Sequence, residues 1–295
     1  MSSSVSKISV PDMPSFTKTY YYRLYPAISV ERLEGAASGK NVVVTGGGTG
    51  IGKAIALSFA RAGAKSVAIF GRRREKLEET AGEIRARGYT GVVFEVVDLM
   101  DRDATEAAFG CIAANVGTLD VLVSNAGVAP LMQPVLRCDA GTMMDTLNLN
   151  LLTAFYALQA WVPLSGSGAT LINISSMTAH AVPAPMVPNF AYAMSKAANL
   201  KMVDFFAHEN PGIHVVNVQP GIINTDLGGP DKPVYVAPDT TDLPAQFCVW
   251  LLTPQAQFLK SKFVWANWDF EELMARRDEV VKTRALTWGL EGVPV

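Results

Sequence analysis

Thr45-Gly46-Gly47-Gly48-Thr49-Gly50-Ile51-Gly52 is the stretch that decides the fold of this 295-residue chain. The β-branched run Asn41–Thr45 enters it and reads as a strand. Gly50–Ala62 leaves it and reads as a helix that stops at Gly63. A chain turning this tightly off a strand needs residues that tolerate positive φ. A backbone that must approach a pyrophosphate closely needs residues without Cβ, and the helix that follows offers free N–H groups to the phosphates. Many loops are rich in glycine, but a strand before and a helix after turn the run into a dinucleotide-binding pattern.

Outward from this run the chain keeps a regular rhythm. Ser66–Phe70, Gly91–Val97, Asp120–Ser124, Ala169–Ser175 and His214–Val218 read as further strands, with Phe263–Ala266 as a seventh. Between them, helices are predicted over Arg73–Arg87, Arg102–Asn115, Asp139–Trp161 and Phe190–His208. Strands that are continuous apolar runs suit a parallel sheet covered on both faces. Strict alternation with helices predicts an α/β fold: one Rossmann-type, doubly wound parallel sheet with helices on both faces. The expected organisation is an N-terminal extension over 1–39, a dinucleotide-binding and catalytic domain over 40–270, and a C-terminal tail over 271–295 that packs on the domain or on a partner. The extension carries Phe16, Tyr20, Tyr21, Tyr22 and Tyr25. Two readings stand for it: aromatics laid across the domain or a partner subunit, or a largely disordered tail.

Composition narrows the function classes. Net charge is −2 and charged residues are 18%, which gives no electrostatic footprint for nucleic acid. Cys111, Cys138 and Cys248 are scattered and odd in number, so neither a disulfide framework nor a metal site is expected. No apolar run reaches the ~18 residues of a membrane-spanning helix, and the N-terminus lacks the apolar core of a secretory signal. A cytoplasmic protein is expected.

The second strand ends Ile69-Phe70-Gly71-Arg72-Arg73-Arg74. A carboxylate at such a strand tip binds the ribose of NAD, whereas an arginine suits the 2′-phosphate of NADP. No carboxylate stands here, and Arg72 offers a bidentate fork. Cations at a helix start are unfavourable to its dipole, which an anion at that place would relieve. NADP is therefore the expected cofactor, with NAD the alternative.

Tyr192-Ala193-Met194-Ser195-Lys196 is the second anchor. Residues i and i+4 share a helix face, so the phenol and the ammonium can lie side by side. A nearby cation favours phenolate and is expected to lower the Tyr192 pKa towards acid/base use.

With these motifs in hand, the chain resembles the short-chain dehydrogenase/reductase family over roughly residues 40–270. The family's TGxxxGxG is Thr45 through Gly52, its acidic residue after the third strand is Asp98, followed by Leu99, and its Asn-Ala-Gly turn is Asn125-Ala126-Gly127. Its helix asparagine matches Asn150, its serine after the fifth strand matches Ser176 rather than Ser175, and its Pro-Gly turn is Pro220-Gly221, followed by Ile223 and Thr225. The extension and the ending FVWANWDFEEL resemble a fungal branch of the family.

The resemblance implies roles. Ser176 orients the substrate oxygen, Tyr192 exchanges a proton with it, Lys196 holds the nicotinamide ribose and tunes Tyr192, and Asn150 anchors a water on the way to Lys196. Gly46, Thr49, Gly50, Ile51, Arg72, Asp98, Leu99, Asn125, Gly127, Pro220, Ile223 and Thr225 are the implied cofactor contacts, together with Tyr192 and Lys196. Thr49 stands where NADP-users of the family often carry a basic residue, which weighs against Arg72. The stretch Met177–Ala191, with Pro183, Pro185 and Pro188, is a few residues longer than usual in the family and should wall the substrate site. Residues 224–243 match the family's substrate lid. With Met177, Pro183, Met186, Val187 and Phe190, a fairly apolar pocket is expected, suited to a hydrophobic secondary alcohol or ketone of polyketide-, terpenoid- or alkaloid-like kind, as in secondary metabolism. His180 is expected as a polar wall residue. A homodimer or homotetramer through the helices near 139–161 and 190–208 is implied. The rival readings are an isomerase, dehydratase or cyclase that keeps its cofactor without net redox, and a nucleotide-sensing regulator.

Overall fold

The computed structural model describes residues 15–130, 132–181, 189–228 and 237–290. Seven strands, β1 (Asn41–Thr45), β2 (Ser66–Gly71), β3 (Val92–Val96), β4 (Val121–Ser124), β5 (Thr170–Ile174), β6 (His214–Gln219) and β7 (Lys262–Trp265), form one sheet in the order β3-β2-β1-β4-β5-β6-β7. Every pair is parallel, as the continuous apolar runs predict. Strand order reverses between β1 and β4. At that point the loops at the strands' carboxyl ends part and leave a crevice, where ligands bind in open α/β sheets.

Helices α1 (Gly50–Arg61), α2 (Arg74–Ala86), α3 (Arg102–Val116), α4 (Ala140–Trp161) and α5 (Phe190–Glu209) lie close to their expected spans. The core is split by the sheet. On one face Ile55 and Phe59 of α1 and Leu77 and Ile84 of α2 pack over Val42, Val44 and Ile69. On the other, Phe109, Trp161 and Val203 of α3, α4 and α5 pack over Val43, Leu122 and Leu171.

Sequence periodicity missed α6 (Asp242–Trp250). Leu243 through Trp250 are all buried, packed against α1. A helix buried all round carries no amphipathic period to read. Two short helices, α7 (Phe270–Ala275) and α8 (Arg277–Lys282), follow β7. Phe263 N–H then donates to Leu286 O at 2.8 Å, so the chain after α8 covers the β7 edge.

In the N-terminal segment, Tyr21 stacks on Tyr25 at 3.8 Å, Tyr20 sits edge-on to Trp265, and Phe16 lies against Trp268. Tyr25 and Ile28 are buried in the core. A bridge between Tyr20 and Trp268, and the Tyr21 N–H donated to Asn267 O at 2.7 Å, hold this segment against the residues after β7.

Candidate active site

A cleft of about 720 Å³ opens at the carboxyl ends of β1, β2, β4, β5 and β6. It begins at the glycine run. Gly52 is required there: a Cβ at this position would lie 2.3 Å from the Gly46 carbonyl oxygen and 2.6 Å from Asn125 Nδ2. Asn125, beyond β4, holds the run by donating from Nδ2 to Thr45 O at 2.8 Å. Thr45 Oγ1 in turn accepts the N–H groups of Asn125 and Ala126 at 2.9 and 3.0 Å. The first turn of α1 has no capping side-chain bond and no acidic residue. Its free N–H groups and positive dipole end therefore face the cleft, which suits a diphosphate.

The predicted cofactor contacts Gly46, Thr49, Gly50, Ile51, Arg72, Asp98, Leu99, Asn125, Gly127, Pro220, Ile223 and Thr225 all line this cleft, as do Ser176, Tyr192 and Lys196. Arg73 and Lys76 line it too, beside Arg72. The sequence reading stopped at Arg72. The signal for Arg73 and Lys76 was present in the basic run and in the one-turn step into α2. Arg73 also donates to Thr49 Oγ1 at 3.3 Å, so the uncharged Thr49 is covered by a cation from the next loop.

At the opposite end, β5 delivers Ser176 and α5 delivers Tyr192 and Lys196. Thr178 donates to Ser176 Oγ from its N–H at 3.3 Å and from Oγ1 at 3.0 Å. Ser176 is thus held as an acceptor from one side, and its hydroxyl interacts with that of Tyr192. Lys196 is buried, its Nζ 5.8 Å from the centre of the Tyr192 ring, and donates to Ile174 O at 3.0 Å. Ser175 is also buried, and its Oγ has no hydrogen-bond partner among the described residues.

The electrostatics differ from the expectation for the pair. A depressed Tyr192 pKa was expected from the neighbouring ammonium. Instead, burial of its hydroxyl pushes it up to about 12, against an opposing pull from Ser176. Burial likewise pushes Lys196 down to about 8. Desolvation outweighs pair attraction because Lys196 spends its hydrogen bond on a neutral carbonyl rather than on the phenol. Tyr192 is therefore a protonated donor across the neutral range.

Asn150 does not line the cleft. It is buried on α4, where Oδ1 accepts Val128 N–H at 2.7 Å and Nδ2 donates to Val128 O at 2.9 Å and to Ser195 Oγ at 2.9 Å. Ser195 Oγ donates to Tyr192 O at 2.7 Å. Asn150 therefore clamps the segment after β4 to the helix that carries Tyr192. Gln219, which lines the cleft, accepts Met177 N–H at 2.8 Å and fixes the turn after Ser176. Its place just ahead of Pro220-Gly221 was the only sign of it in the sequence.

The apolar wall near Ser176 and Tyr192 consists of Val128, Ala129, Leu149, Ile223 and Leu227. Met177 packs against the core instead, and neither it nor Phe190 lines the cleft. Pro183, Met186 and Val187 lie outside the described residues, as does 229–236 of the expected lid. The described part of that lid crosses the cleft mouth, where Ala129 N–H donates to Leu227 O at 3.2 Å. His180 is turned away from the cleft: it packs edge-on to Phe263 at 4.5 Å and accepts from Trp265 Nε1 at 3.3 Å. Among the described residues no cluster of His, Cys, Asp and Glu could hold a metal ion, and no helix is long and apolar enough to cross a membrane.

Residues 40–233 match the family model for short chain dehydrogenases. A short chain dehydrogenase/reductase of Aspergillus aculeatus, AacuD, is 32% identical over 283 residues, covering 93% of this chain and 96% of that protein. The short chain dehydrogenase pigC of Monascus ruber is 31% identical, covering 90% of each. Among solved structures, a short chain dehydrogenase of Burkholderia cenocepacia in complex with NADP superimposes with a TM-score of 0.69 at 27% identity, covering 80% of this chain and 99% of that one. A family model matched over most of the chain and relatives of this identity that span nearly all of it show the family: this protein is a short-chain dehydrogenase/reductase, an oxidoreductase, and it resembles fungal members of that family.

Proposed function

We propose that this protein is an NADP(H)-dependent oxidoreductase that interconverts a secondary alcohol and a ketone on a fairly hydrophobic small molecule of secondary metabolism. The observation that carries the reading is the convergence of Ser176, Tyr192 and Lys196 on one end of a cleft whose other end holds a glycine loop and three cations. Arg72, Arg73 and Lys76 support the phosphorylated cofactor, because together they offer a 2′-phosphate two planar forks and an ammonium.

The nicotinamide supplies or accepts the hydride when the cofactor is bound. The chain's residues do the rest. The loop Gly46–Gly52 and the α1 terminus hold the diphosphate, and Asp98 and Leu99 flank the adenine end. Asn125 and Gly127 shape the floor, while Pro220, Ile223 and Thr225 wall the nicotinamide end. Ser176 donates to the substrate oxygen, with Thr178 fixing its orientation. Tyr192, held as a phenol, passes its proton to that oxygen in the reducing direction. Lys196 sits one helical turn away, where it can hold a ribose hydroxyl and replenish charge beside Tyr192. Asn150 acts through the backbone, keeping α5 and the segment after β4 in register. The wall of Val128, Ala129, Leu149 and Leu227 favours an apolar substrate body.

Assembly belongs to the same reading. Phe155 of α4 and Phe205 of α5 are exposed on one groove with Tyr156 and Met202, which fits a homodimer or homotetramer built across these two helices. Incubation of the protein with NADPH or NADH and a panel of hydrophobic ketones, followed by absorbance of the reduced nicotinamide, tests the activity. Faster consumption of NADPH supports the proposal. Turnover of a substrate without any change in nicotinamide absorbance would overturn it.

A further inference from the structure

Asp239 is a buried carboxylate, 6% exposed, that the mechanism above does not use. Its Oδ2 accepts the N–H of Ile222 at 2.5 Å, and its own N–H donates to Ile222 O at 3.3 Å. Gly221, between Pro220 and Ile222, has φ +108°, and a Cβ there would lie 2.8 Å from Asp239 Oδ2. The carboxylate is therefore packed directly onto the turn whose neighbours Pro220, Ile223 and Thr225 line the cleft.

On its other side Asp239 meets the N-terminal segment. Oδ1 accepts from Asn267 Nδ2 at 2.9 Å, and the same Nδ2 donates to Tyr21 O at 2.8 Å. Asn267 is fully buried, and its backbone carbonyl accepts the Tyr21 N–H. Thr240 N–H donates to Tyr22 O at 3.3 Å. Tyr21 is stacked on Tyr25, whose ring is buried in the core, so the support behind Asn267 is firm.

The polarity of this chain of bonds runs one way. Both neighbours of Asp239 are donors, so both of its oxygens must accept, and only a carboxylate does that. An asparagine at 239 would present an N–H to Ile222 or to Asn267. Asn267 cannot accommodate it by turning its amide over, because that would set its oxygen against the Tyr21 carbonyl.

We propose that Asp239 is a positioning residue that sets the Pro220–Thr225 turn for the nicotinamide half of the dinucleotide, braced by the N-terminal segment through Asn267. This inference rests on the nucleotide reading given above. It makes the extension part of the site's construction, although no described residue of the segment lines the cleft.

The test separates the two halves of the cofactor. Calorimetric titration of wild type, Asp239→Asn and Asn267→Ala with NADPH and with 2′,5′-ADP, which carries the adenosine end only, compares them directly. NADH and ADP form the pair if wild type binds those more tightly. The expected result for Asp239→Asn is about tenfold weaker NADPH binding, with the adenosine fragment within about twofold of wild type. Asn267→Ala should show the same asymmetry with a smaller loss of about threefold, and it carries the test if Asp239→Asn does not fold. Parallel weakening of both ligands, or no change in either, overturns the inference. A wild type that binds neither ligand removes the nucleotide reading as well, which distinguishes the two failures.

Discussion

Lys196 donates from Nζ to the carbonyl oxygen of Ile174 at 3.0 Å, so the end of β5 holds the ammonium one helical turn from Tyr192. The bond is to a neutral group in a buried place, and burial lowers the Lys196 pKa from 10.5 to about 8. Below pH 8 both folded and unfolded chains carry the charge, and the folded chain bears the full desolvation cost, on the order of 3 kcal/mol. Between pH 8 and 10.5 the folded chain gives up its proton first, so stability rises with pH through that window. Lys196→Met removes the charge and also loses a hydrogen bond worth about 1 kcal/mol. The variant should therefore be more stable than wild type by about 1–2 kcal/mol at pH 7 without added nucleotide, with the gap closing towards pH 10. Chemical denaturation across that pH range checks it; a variant less stable at pH 7 contradicts it.

Arg72 and Arg73 lie at one end of the same cleft, with Lys76 beside them. Replacing both arginines by alanine removes the two forks proposed to recognise a 2′-phosphate. The ratio of kcat/KM for NADPH to that for NADH should fall by about 10- to 100-fold, chiefly through KM for NADPH. Steady-state kinetics with both cofactors decides; an unchanged ratio would mean that neither arginine reads the phosphate.

Asn150 bonds both backbone groups of Val128 and reaches Tyr192 through Ser195. Asn150→Ala removes the partner of the part-buried N–H and C=O of Val128 and should cost about 1–2 kcal/mol of stability. It should also lower kcat more than it weakens cofactor binding, because the helix carrying Tyr192 loses its register. Thermal melts and a kcat-against-Kd comparison check both; equal losses in both quantities would make Asn150 merely structural.

Phe205 is 59% exposed on α5, beside Phe155 of α4. Phe205→Glu should convert the assembled protein to a monomer in light scattering at micromolar concentration. A wild type that is already monomeric contradicts the assembly proposal.

The sheet was legible in the sequence because its strands are buried on both faces and read as unbroken apolar runs; β1 and β5 show no exposed position at all. The glycine loop and the Tyr192–Lys196 spacing were legible because each is a local pattern. What could not be read is what depends on contacts distant in the chain. α6 is buried all round from Leu243 to Trp250, so no amphipathic period marks it. Gln219 and Asp239 act through hydrogen bonds to Met177 and Ile222, which lie 42 and 17 residues away. The sign of the Tyr192 shift depended on burial, which residue spacing does not encode. The N-terminal aromatics were visible, but their partners Trp265, Trp268 and Phe270 stand more than two hundred residues away.

Tyr192 is proposed to carry the proton through its hydroxyl, while the glycine loop and the cations at the far end of the cleft hold the cofactor. Tyr192→Phe keeps the ring and removes only the hydroxyl. The measurement is nicotinamide-coupled turnover of a hydrophobic ketone by this variant, alongside its affinity for NADPH. The account predicts turnover reduced by about 10²- to 10⁴-fold with NADPH affinity within a few-fold of wild type. Turnover equal to wild type, with the variant folded and cofactor bound, would contradict it.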